Sequence, residues 1–114
     1  MKDINGEIQY RDKTYKLVFN LNVMESIQKK FGSLQEWGNR TDGSESEVDV
    51  EAVIFGFTEM LNEGIDIDNE ENGTDQKPLS PKQVGRIITE VGLANATKKL
   101  NDTVVESTKD EKNA

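Results

Sequence analysis

The stretch 49–62, DVEAVIFGFTEMLN, constrains this chain more than any other. Val50, Val53, Ile54, Phe57 and Leu61 recur at helical spacing, and Ala52, Gly56 and Met60 widen their stripe. Asp49 is placed to cap the free N–H groups at the start. Gly64 follows the end, where a left-handed residue commonly stops a helix. A helix this apolar must be covered on more than one side, so the other elements have to present apolar faces to it. Phe55 falls outside the stripe, on a face shared with Glu51, Glu59 and Asn62. An aromatic there either lies under a loop or meets another protein.

The elements that could cover this helix follow from pattern. Ile8 and Tyr10, then Tyr15, Leu17 and Phe19, alternate with polar neighbours, which predicts a β-hairpin over 7–19 turning at Arg11, Asp12 and Lys13. Asn5-Gly6 is a second turn signal, with room for a short strand over 2–4. A first helix is expected over 21–31, with Asn22 and Glu25 as a capping pair and Met24 and Ile27 facing inward. Ser33 to Glu36 restarts a short helix that carries Trp37 near its end. Trp37 either covers the small core or anchors an interface, since tryptophan is enriched at binding hot spots. A polar loop over 38–48 leads into the central helix.

The segment 64–77, GIDIDNEENGTDQK, reads as a mobile acidic loop. Ser80-Pro81-Lys82-Gln83 is a strong helix start, with Ser as cap, Pro at the first position and Gln closing the box. Val84, Ile87, Ile88 and Val91 supply that helix's apolar face. Gly92 ends or bends it, and Leu93, Ala96, Leu100 and Val104 continue the helical period to about Glu106. The reading is a single α+β domain over 1–107, mostly helical, with a small N-terminal β-hairpin packed on four or five helices. A disordered tail is expected at 108–114. The expected core is Leu17, Phe19, Met24, Ile27, Val53, Ile54, Phe57, Leu61, Val84, Ile87, Ile88 and Val91.

Composition narrows the chemistry. Fourteen basic against 22 acidic residues give a net charge of −8, which disfavours nucleic acid and anionic membrane partners. The chain has no histidine and no cysteine, so the commonest general base, thiolate nucleophiles and the usual zinc ligands are all missing. No carboxylate pair is tied to an apolar pocket, and there is no glycine-rich phosphate loop. These features predict no enzymatic activity, no cofactor and no metal. The series Asp68, Glu70, Asn72 and Gly73 imitates an EF-hand loop, but Leu79 stands where the bidentate glutamate belongs. The register from Asp66 puts Glu71 at the required glycine. The N-terminal MKDINGEIQY lacks the apolar core of a signal peptide, so the sequons at Asn39, Asn72, Asn95 and Asn101 are expected to be chance, and a cytoplasmic location is expected.

The order of elements resembles the tail assembly chaperones of long-tailed bacteriophages and prophages of Gram-positive hosts. The likeness covers roughly residues 4–108. It rests on Tyr15-Lys16-Leu17-Val18-Phe19-Asn20 and a helix following at once, with Glu25 and the Phe31-Gly32-Ser33 ending. It continues through the apolar helix from Val53 to Leu61. Its most specific part is Leu79-Ser80-Pro81-Lys82-Gln83-Val84-Gly85-Arg86-Ile87-Ile88 leading to Val91-Gly92-Leu93. The segment 64–77 is long and acidic beside the family pattern. The resemblance implies a non-enzymatic factor of the host cytoplasm, absent from the mature virion, that binds the tape-measure protein and assists the tail tube protein to assemble. Trp37 and Phe55 are the candidate partner-binding residues, and self-association into a homo-oligomer is compatible with the same surface. The alternatives are a small acidic regulatory binder (an antitoxin or inhibitor) and a structural tail-completion or head-joining protein.

Overall fold

The computed structural model describes residues 4–43 and 47–112, with side chains over 6–43 and 47–107. Strands β1 (Ile4–Tyr10) and β2 (Lys13–Phe19) form an antiparallel hairpin that pairs Ile4 with Phe19 and Tyr10 with Lys13. Five helices follow: α1 (Leu21–Phe31), α2 (Leu34–Thr41), α3 (Val50–Asn72), α4 (Pro81–Val91) and α5 (Leu93–Lys112). This is the expected α+β architecture, mostly helical, with the hairpin packed on the helices. The turn is the two residues Arg11 and Asp12, and Arg11 takes a positive φ of 60°, as so short a loop demands. Lys13 already belongs to β2.

Asn5 and Gly6 do not turn the chain; they pair with Val18 and Leu17 inside β1. Gly6 is small because α5 crosses there: a Cβ on it would lie 2.6 Å from Thr103 Oγ1. Lys99 Nζ donates to the Glu7 carbonyl at 2.6 Å and Ser107 Oγ to that of Phe19 at 3.3 Å, fastening α5 to the hairpin.

Side chains close to the helix starts act as the caps. Ser33, Asp49 and Ser80 accept from Glu36, Ala52 and Gln83, and Ser80 with Gln83 forms a complete capping box. At α1 the cap is Asn20, which accepts from Val23 N; Asn22 instead donates to Glu63. Asn20 donates to the same carboxylate at 2.7 Å, so Glu63 ties the start of α1 to α3.

The core centres on α3, where Val53, Phe57, Met60 and Leu61 are sealed among Leu17, Phe19, Ile27, Val84, Ile87, Ile88 and Leu100. Met24, Ile54 and Val91, expected inside, are only partly buried at its margin. Ile8, Val18, Val23 and Ala96 are buried in addition. Trp37 is wholly internal at 1% exposure, and its Nε1 donates to the Ala52 carbonyl at 3.0 Å. It is therefore a core residue and not an exposed anchor. The ring fits because Gly56 lies against it: a Cβ there would stand 2.5 Å from Trp37 Cζ2.

Three expectations about boundaries change. Helix α2 continues to Thr41, which shortens the polar loop. Helix α3 does not stop at Gly64. It runs to Asn72, and Gly73, at φ 65°, is its left-handed cap. Gly64 is instead a packing glycine, since a Cβ on it would come within 2.9 Å of the Lys16 carbonyl of β2. The expected disordered tail is helical as far as Lys112; its last two residues lie outside the described ones.

The acidic segment is correspondingly not a free loop. Its first part is the last two turns of α3. Its second part is strapped back along that helix by two asparagines seven residues apart. Asn62 donates to the Leu79 carbonyl at 3.0 Å and accepts from Leu79 N at 2.8 Å. Asn69 does the same with Gln76, at 3.0 Å in each direction. Each amide thus satisfies one backbone N–H and one C=O of a segment that belongs to no helix or strand. The strap delivers Ser80 to the position from which α4 starts.

Candidate functional site

Helices α3 and α4 leave a groove between their outward faces. On α4, Pro81, Lys82, Gly85, Arg86 and Thr89 are three and four apart and form one strip. On α3, Val50, Ile54 and Thr58 do the same. Two recesses of about 630 and 390 Å³ open along this line, and both are lined by Ile54 and Lys82. The larger is closed on one side by Phe55, with Lys30, Glu51 and Glu59 at its rim. The smaller continues past Gly85 to Leu93. Val50 and Leu93 are 50% and 40% exposed, so the apolar surface runs the length of the groove.

Phe55 is half-buried. It meets Phe31 edge to face, with ring centroids 5.6 Å apart and planes at 80°. Lys30 Nζ stands 5.4 Å above the Phe55 ring and Arg40 Cζ 5.7 Å from the Phe31 ring, so a cation faces each aromatic. Arg40 is held there by Glu36 at 3.0 Å and Asp49 at 3.4 Å, and these hydrogen bonds raise the guanidinium pKa above its ordinary value. Lys30 reaches Glu51 at 3.9 Å across a solvated gap. Surface pairs of this kind contribute little to stability. Their effect is to position an aromatic that still presents part of its ring to the groove.

The groove offers little for chemistry. Thr58 and Thr89 hydroxyls donate to the carbonyls of Ile54 and Gly85 in their own helices, so neither is left seeking a ligand. Among the described residues no group of three or more carboxylates is placed to hold a metal ion. Asp68, Glu70 and Asn72 lie on the final turns of α3, and Asp68 accepts from Asn72 and Gln76, each at 2.6 Å. A helical backbone cannot wrap these oxygens around a central ion as a calcium loop does. No described helix is long and apolar enough to cross a membrane.

Of the two partner-binding candidates, the groove contains Phe55 and excludes Trp37. Sequence reasoning assigned Ile54 to the core and missed the α4 side, Lys82, Gly85 and Arg86. Gly85 was the available signal. A glycine inside an amphipathic helix costs about 1 kcal/mol relative to alanine, and here nothing in the fold requires it. A Cβ at Gly85 would meet only Ile54 Cδ1, at an ordinary 3.7 Å. No protein-family model matches this chain, and no curated protein or solved structure is significantly similar to it.

Proposed function

We propose that this chain is a non-enzymatic assembly factor of the phage tail chaperone type. In this reading it covers apolar faces of a helical tape-measure protein in the host cytoplasm, assists the tail tube protein to assemble, and is left out of the mature virion. The observation that carries the reading is the apolar α3–α4 groove with Phe55 half-open at its edge. A groove between two helices suits the apolar face of a third, and its main-chain groups are already used within the helices. The acidic surface around it would keep a complex with an apolar partner in solution. The sequence resemblance described above names the partner class.

Co-expression tests it. The tape-measure protein alone is expected to be insoluble, and with this chain it should form a soluble complex holding several copies per partner. Phe55→Glu should lower the yield of that complex severalfold while the variant stays folded by circular dichroism. A partner that remains insoluble beside the wild-type chain would refute the assignment.

A further inference from the structure

We infer that the α3–α4 groove takes one amphipathic helix whose apolar stripe is flanked by carboxylates. This rests on the helix-binding reading above and adds the chemistry of the bound face. On a chain of net charge −8, the smaller recess is lined by Lys82 and Arg86 and by no carboxylate. Glu51 and Glu59 border the larger one beside Lys30 and Lys82, so the partner's carboxylates belong at the Lys82–Arg86 end of the groove. Among the described residues neither cation has an ion-pair partner. Two unpaired cations beside an apolar floor are complementary to acidic side chains that border an apolar stripe.

Gly85 supplies the second observation. It lies between Lys82 and Arg86 on the strip, its Cβ position faces open space apart from Ile54, and its backbone has no positive φ to explain it. The fold would accept alanine there. What the missing side chain permits is close approach of another backbone. The strip from Pro81 to Thr89 spans roughly 12 Å of helix, which matches two turns of a partner anchored at i, i+3 or i+4, and i+7. An extended peptide finds no unpaired sheet edge in this groove to join. The overall acidity repels an acidic helix at long range, but beyond about 8 Å that field is screened at physiological salt. Contact with Lys82 and Arg86 then decides.

The test uses the full chain and two fluorescent peptides of about 20 residues, long enough to be helical. They share one leucine stripe and differ only in having glutamate or lysine beside it. By fluorescence anisotropy the glutamate peptide should bind at least tenfold tighter. The double variant Lys82→Glu, Arg86→Glu should invert the order. Gly85→Leu should weaken the glutamate peptide at least tenfold, with circular dichroism and an unchanged or raised melting temperature of Gly85→Ala showing that the position tolerates a side chain. Equal binding of both peptides, or no effect of Gly85→Leu, overturns the inference. So does sedimentation of the wild type as an oligomer that Gly85→Leu dissociates, because the groove would then hold a second copy. Failed tape-measure co-expression with the glutamate peptide still bound removes the named partner and supports the site. Lost peptide discrimination with co-expression intact removes this inference alone.

Discussion

Gly56→Ala is the sharpest test of how the core is built. In isolation the change favours the helix by about 1 kcal/mol. In place, the new methyl would lie 2.5 Å from Trp37 Cζ2 and 3.1 Å from Cε2. The ring is 1% exposed and cannot swing outward; it can only slide within a packed core. Sliding far enough to restore contact distance breaks the 3.0 Å hydrogen bond from Nε1 to the Ala52 carbonyl. Overpacking costs about 1–3 kcal/mol, and stranding a buried N–H costs about 1–3 kcal/mol more. Set against the helix gain, the net loss is about 1–5 kcal/mol. At the midpoint of about 3 kcal/mol, with an unfolding entropy of about 2.1 cal/mol/K per residue, the melting temperature of a domain this size falls by roughly 12 °C. Trp37 is the only tryptophan, so its fluorescence reports the same event. Wild-type emission should be blue-shifted and should move to the red in the variant. Gly85→Ala, with the same intrinsic gain and no clash, should raise the melting temperature by a few degrees. If Gly56→Ala melts at or above the wild-type temperature, the packing argument for Trp37 is wrong.

Phe57→Ala empties the centre of the core and should cost about 3–5 kcal/mol by urea titration; a loss under about 1 kcal/mol would place Phe57 outside it. Phe55→Glu removes a half-buried edge-to-face pair with Phe31, worth about 0.5–1.5 kcal/mol beyond burial, and the contact of Lys30 with the ring, so its melting temperature should drop by less than that of Phe57→Ala. Complete unfolding would reassign Phe55 to the core. Asn69→Ala should free the strap, because one amide serves both backbone groups of Gln76; faster hydrogen exchange near Gln76, with the helix-α1 amides unchanged, is the expected signature. Millimolar calcium should leave the melting temperature unchanged, and a rise of several degrees would restore the calcium-loop reading of 68–79.

What could be read from residues alone was whatever short-range chemistry encodes. Ser33, Asp49 and Ser80 announce their helices because a cap and the N–H it accepts from lie within three residues of each other. The hairpin, the amphipathic face of α4 and most of the core follow from period. Phe55 was legible as an aromatic on a polar face, and hence as a candidate for the site. The glycines were not legible, because glycine has two uses that look alike in sequence: it permits positive φ, and it removes a Cβ. Gly64 resembled a helix stop and is a contact with β2, whereas the stop is Gly73. Gly6 resembled a turn and is where α5 crosses the hairpin. Trp37 was open between core and interface until Gly56 and the Ala52 carbonyl, 15 or more residues further along, were brought against it. The acidic segment read as free because nothing in its composition suggests burial, yet Asn62 and Asn69 hold it through backbone groups that carry no sequence signature. On α4 the glycine inside an amphipathic helix was visible in the sequence, but only the packing of α3 on α4 shows that no neighbour crowds Gly85 within the fold.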